Sequence, residues 1–242
     1  MQKLVRTIAL LGVVALFTSS AVAGIYDNPA WMKGHFSRVA GFFAGNGGEF
    51  TVKEGDSANM GQPWNPRPII GTWSDTAIVG QFQSFCIEKN ETVFIPGDYW
   101  LDITTYATMG GVAGQDGNLG PGASSDSLNP RTAYLYQNFR YNTLLAGYGR
   151  PGDAGALQDA IWFIENEITA LPAGRATVYF NEAETAVNTG VWAGLGQVRT
   201  LNLWGDADRT LFKQDMLTLV PVPGAAVLGV VGLSLVGWFR RR

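Results

Sequence analysis

Apolar and polar positions alternate with a period of two along several stretches of the chain, which predicts strands. In residues 80–88, Phe82, Ser84, Cys86 and Glu88 alternate with Gln81, Gln83, Phe85 and Ile87. The side chain of Cys86 therefore falls on the opposite face from Phe85 and Ile87. Residues 72–79 read as a neighbouring strand. Residues 99–106 alternate as well, with Trp100, Asp102 and Thr104 on one face and Tyr99, Leu101 and Ile103 on the other. A turn over residues 90–98 would let this strand pair with the one carrying Cys86. Earlier, Phe42 and Phe43 run into Gly45-Asn46-Gly47-Gly48, which predicts a strand, a tight turn and a return strand over residues 49–53. Near the far end, residues 198–204 alternate again, and residues 215–220 read as a final strand.

Between these two groups of strands the period changes to that of a helix. Asn129-Pro130 opens one helix, with Ala133, Tyr136, Phe139 and Leu144 recurring until Gly147. After a short break, Leu157, Ala160, Ile161, Ile164 and Ile168 form an apolar stripe. Asp153 stands where an N-cap would, and Gln158 falls in the first turn beside the buried face. A third helix is expected over residues 181–187. The order of strands, helices and strands predicts an α+β fold: mostly antiparallel strands, barrel- or sandwich-like, with a helical insertion carrying Gln158.

A buried amide needs partners, and the question is what Gln158 faces. Cys86, the single cysteine of the chain, is the candidate. A strand cysteine facing a helix-start glutamine is the arrangement an internal thioester needs. The thiolate attacks the carboxamide carbon, ammonia leaves, and an amine or hydroxyl on a partner opens the acyl–sulfur bond. A helix N-terminus nearby would lower the thiol pKa and favour that attack. Phe85, Ile87, Ile161 and Trp162 are apolar and suited to shielding the bond from water. The alternative is an inert buried thiol beside a glutamine that bonds a backbone carbonyl.

The residues also resemble a known family. Aromatic-Cys-aliphatic in Phe85-Cys86-Ile87, then apolar-Gln-x-x-apolar-Trp from Leu157 to Trp162, is similar to the two signature motifs of bacterial surface thioester domains. The resemblance implies an adhesin-like module that attaches covalently to a surface protein or polysaccharide nucleophile. Cys86 and Gln158 would be the cross-linked pair and Trp162 a packing residue. Such a protein reacts once and is not an enzyme.

The ends of the chain change the picture of where it works. Residues 1–23 read as a signal peptide: Lys3 and Arg6, an apolar run over residues 7–17, then Ala21-Val22-Ala23 with cleavage between Ala23 and Gly24. Residues 220–242 begin Val220-Pro221-Val222-Pro223, continue as an apolar run and finish with Arg240, Arg241 and Arg242. At about 1.5 Å per residue the run nearly spans a bilayer as a transmembrane helix. This tail resembles the PEP-CTERM sorting signal of Gram-negative bacteria, although Val222 stands where the typical signal has glutamate. The resemblance implies transient anchoring in the inner membrane, processing by an exosortase-like protease, and release to the cell surface or extracellular matrix. Residues 24–219 are left as the thioester-like domain.

Without its ends the chain keeps 12 basic and 20 acidic residues, a net charge of −8, which argues against nucleic acid as a partner. A lone cysteine excludes an internal disulfide and makes a chemically committed thiol attractive in an oxidising compartment. No zinc signature, P-loop or Gly-x-Ser-x-Gly is present, and a serine triad would have to use His35, the only histidine. No metal or cofactor site is read. Asp116, Asn118 and Asp126 in the polar stretch 109–130 lack EF-hand spacing. The competing function is a non-covalent matrix protein that binds carbohydrate through exposed Trp64, Trp73 or Trp192.

Overall fold

The structure is a computed structural model that describes residues 33–44, 47–54, 81–108, 125–149 and 152–220. The signal peptide, the strand expected over residues 72–79, Trp64, Trp73, Asp116, Asn118 and the tail from Pro221 lie outside the described residues.

The first strands are β1 (Lys33–Ala44), β2 (Gly47–Glu54), β3 (Gln81–Ser84) and β4 (Gly97–Thr104), followed by the short pair β5 (Tyr106–Thr108) and β6 (Ser125–Ser127). The insertion is α1 (Pro130–Tyr141), α2 (Ala154–Ile164) and α3 (Arg175–Asn188), and β7 (Val198–Trp204) and β8 (Phe212–Leu219) complete the fold. The fold is α+β, as the change of period predicts. Six antiparallel strands form one sheet in the order β3-β2-β1-β4-β7-β8, a half-barrel, and β5-β6 form a separate two-stranded sheet. The strand at residues 99–106 does not pair with the Cys86 strand. β4 lies between β1 and β7, with Leu101 opposite Leu203 and Gly34 opposite Tyr99. The hairpin β1-β2 occupies the position that the adjacent order would have given it.

Register puts one apolar face across the whole sheet. Phe36 pairs with Val52, Val52 with Phe82, Leu101 with Leu203 and Leu201 with Met216. These residues, with Phe50, Tyr99, Cys86 and Trp162, make a buried sheet cluster. A second cluster joins the helices to the other face: Phe85, Ile87, Leu135, Tyr136, Phe139, Leu157, Ile161, Tyr179 and Leu217 are among its members. The period-two reading of residues 82–87 is thus kept, with Phe82 and Cys86 in one cluster and Phe85 and Ile87 in the other.

The two edges of the half-barrel meet just beyond β3. Ile87 N–H donates to Asp215 O at 3.0 Å and Leu217 N–H to Phe85 O at 3.1 Å, which leaves Cys86 bridged antiparallel to Met216. Ser84 Oγ ties the same seam by donating to Leu217 O at 2.6 Å. Cys86 sits in this closing bridge, two residues past the regular strand, and not inside β3.

The helices hold the seam from outside. α1 is capped by Asn129, whose side chain accepts from Arg131 N–H, and Pro130 opens the helix. From α1, Tyr136 Oη donates to Gln83 O at 2.9 Å, and the buried Arg140 guanidinium lies 5.0 Å from the centre of the Phe82 ring. Asp153 does not cap α2, because its backbone is already helical and its carboxylate turns to Arg175. Arg175 also reaches Ala146 O, Gly147 O and Tyr179 Oη, and α3 starts six residues before the expected position 181. Burial opposes ionisation of Asp153, but its hydrogen bonds from Arg175 hold the carboxyl below its ordinary value.

Candidate functional site

Gln158 is the fifth residue of α2, one turn further in than its sequence position suggests, and it is completely buried. Its side chain crosses from the helix to the seam. Oε1 accepts from Cys86 N–H at 3.1 Å and from Gly48 N–H at 3.2 Å, and Nε2 donates to Cys86 O at 2.8 Å. The carboxamide therefore clamps the main chain of Cys86 from both sides. The two candidate residues, 72 positions apart in the chain, lie side by side.

Two converging backbone N–H groups on one carbonyl oxygen are also the donor set that stabilises an oxyanion. An attack on the Gln158 carboxamide carbon would place negative charge on Oε1, where both N–H groups already point.

The sequence marks Gly47 and Gly48 only as a turn, and in the structure they are part of this site. Gly48 has φ 119°, a conformation that L side chains avoid, and it directs its N–H at Gln158. A Cβ at Gly47 would stand 2.5 Å from Gln158 Cγ and 2.5 Å from Trp162 Cη2. The hairpin can approach α2 this closely only with glycine there. The glycine run was visible as a turn signal, but nothing local to it announced the helix on the other side.

The thiol is fully buried, free and packed in the sheet cluster with Trp162. Burial pushes the Cys86 thiol well above its ordinary pKa, and the Glu88 charge adds to the rise, while Arg38 and a hydrogen bond with the Gln214 side chain work against it. The expected lowering by a helix N-terminus is not found. Gln158 lies in the second turn of α2, and loss of water dominates at a site with no exposure.

Of the four residues expected to shield the pair, Trp162 packs beside Cys86, while Phe85, Ile87 and Ile161 belong to the helix cluster on the other face. All four are buried, so water is kept from both sides of the seam. Lys89 Nζ lies 5.7 Å from the Trp162 ring centre.

The remaining candidates sit elsewhere. His35 Nδ1 is 2.7 Å from Asp98 Oδ1 between β1 and β4. Asp126 is buried in β6. Trp192 is half-buried, meets Tyr134 edge to face at 5.7 Å and donates its Nε1–H to Gly194 O. Val220 is the only residue of the expected sorting motif that is described; it is buried and its N–H donates to Gln197 O at 2.8 Å. Among the described residues no helix is long and apolar enough to cross a membrane.

In comparisons with known proteins, no family model, no curated protein and no solved structure matches the chain.

Proposed function

We propose that this is an exported surface protein that forms an internal thioester between Cys86 and Gln158 and uses it for one covalent attachment to an amine or hydroxyl on a partner. The observation that carries the reading is the placement of the Gln158 carboxamide against Cys86, with Oε1 held by two backbone N–H groups. In the forming step Sγ bonds to Cδ of Gln158, the C–N bond breaks, and the thiol proton leaves with the nitrogen as ammonia. The charge on Oε1 is carried by Cys86 N–H and Gly48 N–H. Burial then protects the acyl–sulfur bond from hydrolysis. A partner amine attacks the same carbon, forms an amide on residue 158 and returns the Cys86 thiol. The protein is spent, so this is adhesion or matrix cross-linking and not turnover.

Export and sorting rest on the two ends of the sequence. The signal peptide directs the chain out of the cytoplasm, and the Arg-terminated tail holds it in the inner membrane until an exosortase-like protease acts near Pro223.

The test is capture of a primary-amine probe carrying biotin. The native protein is expected to keep the label through a denaturing gel, and Cys86→Ala to lose it completely. Reversible carbohydrate binding, the competing reading, would leave no label on the gel and would be indifferent to Cys86. Trp192, the one of its three candidate aromatics that is described, is engaged with Tyr134 in the helix cluster.

A further inference from the structure

Beyond Cys86 the seam carries three carboxylates that no local sequence pattern links. Glu88 follows the closing bridge, Asp215 faces it from β8, and Glu91 lies in the loop that leads to β4. One oxygen from each lies within 4.8 Å of the others. Glu88 is completely buried, Asp215 nearly so, and Glu91 partly.

The hydrogen bonds here do not account for the charge. Glu88 Oε2 accepts from Asp215 N–H at 3.1 Å, and the Asp215 oxygens accept from Leu203 N–H and Thr108 N–H. Glu88 Oε1 and Glu91 Oε2 are buried with no hydrogen-bond partner among the described residues. The charges that bear most on Glu88 are those of Asp215, Glu91 and Glu167, all acids. Buried carboxylates are ordinarily paired or bound to a metal, and no described ion pair reaches these three.

We propose that Glu88, Glu91 and Asp215 bind a divalent cation, and that the ion is calcium. The donors are hard oxygens only, which excludes a zinc-type set of nitrogen and sulfur ligands. Calcium coordinates oxygen at about 2.3–2.6 Å, so oxygens around one ion lie up to about 5 Å apart, as these do. Magnesium keeps several waters and suits a buried all-carboxylate cage less well. Glu88 Oε1 and Glu91 Oε2 supply free lone pairs, and the Asp215 oxygens keep a second lone pair each beside their N–H donors. A bound ion joins the loop after the seam to β8 and reinforces closure of the half-barrel. This inference does not depend on the thioester reading.

The experiment melts the purified full-length chain after treatment with chelator, with and without calcium chloride, alongside Glu91→Gln. Glu91 is the least buried of the three, so its variant is the one best placed to fold. Calcium at a hundredfold excess over Kd is expected to raise Tm by roughly 5–10 °C, with one ion per chain by calorimetry. Glu91→Gln is expected to weaken calcium binding at least tenfold while its stripped form melts no lower than the stripped native protein, because a like charge has been removed. No shift in the native protein at about 10 mM calcium, the upper side of what extracellular modules need, would overturn the proposal. So would a Glu91→Gln variant that responds to calcium as the native protein does. An equal shift with magnesium would overturn the assignment of calcium.

Discussion

Gln158→Ala is expected to lose about 3–5 kcal/mol of stability together with the proposed covalent bond. The side chain is fully buried and satisfies three main-chain groups: Cys86 N–H, Gly48 N–H and Cys86 C=O. Truncation leaves these unpaired in a dry interior, at about 1–3 kcal/mol each where water cannot replace the amide. It also opens a cavity between α2, the start of β2 at Gly47 and Gly48, and Trp162, which in the native protein leave no room even for a Cβ at Gly47. For a domain of this size the drop corresponds to a fall in Tm of roughly 6–20 °C. Thermal and urea unfolding of the two proteins check it. Gln158→Glu keeps an oxygen for the two N–H donors but has no ammonia to release and so forms no thioester; its stability should fall between them. A Gln158→Ala variant within about 1 kcal/mol of the native protein would mean that the clamp on Cys86 does not hold the seam.

The second large effect is loss of stability in mild alkali. Burial pushes Glu165 up to about 8, with the nearby Asp126 charge adding to the rise and Asn129 N–H, which donates to Oε1 at 3.2 Å, opposing it. Glu88 and Asp215 are also raised by burial, and Glu91 is raised to about 7 by burial and by the charge of Glu167. The sign follows from proton binding. A carboxyl with a raised folded pKa keeps a proton that the unfolded chain releases near its ordinary value. Its contribution is therefore complete below that value and is lost as the pH rises through the folded pKa. For Glu165 the window runs from about 4.5 to about 8, and the loss across it is about 4 kcal/mol. Unfolding measured in chelator from pH 5 to pH 9 should show a steady fall. Glu165→Gln, which keeps an acceptor for Asn129 N–H, should flatten it and exceed the native protein in stability above pH 8. Equal slopes for the two proteins would contradict the assignment.

Some of this was legible along the chain. β7 covers the residues that alternation marks, and it is paired on both sides, with β4 and with β8. The faces of Cys86 and Phe85 were legible from alternation as well, even though Cys86 lies past the end of β3. β8 begins at Phe212, earlier than expected, because Phe212 pairs with Trp204 and packs on its ring at 4.8 Å. What could not be read is whatever depends on distant partners. The start of α3 is fixed by the contact of Arg175 with Asp153, 22 residues earlier, although Ala176, Tyr179, Ala183 and Ala186 do recur at helical spacing. Gly48 reveals its role only with Gln158 above it, 110 residues later. Glu88 and Asp215 are 127 residues apart, so no spacing motif can join them.

The central claim is that the Gln158 carboxamide and the Cys86 thiol become one bond. The most direct test is the intact mass of the purified protein before and after methylamine treatment, with peptide mapping of residues 86 and 158. The account predicts a mass one ammonia below that of the sequence, and a methylamine adduct confined to residue 158 after treatment. A mass equal to that of the sequence, with an unmodified Gln158 amide and a Cys86 thiol that alkylates once the protein is unfolded, would contradict it.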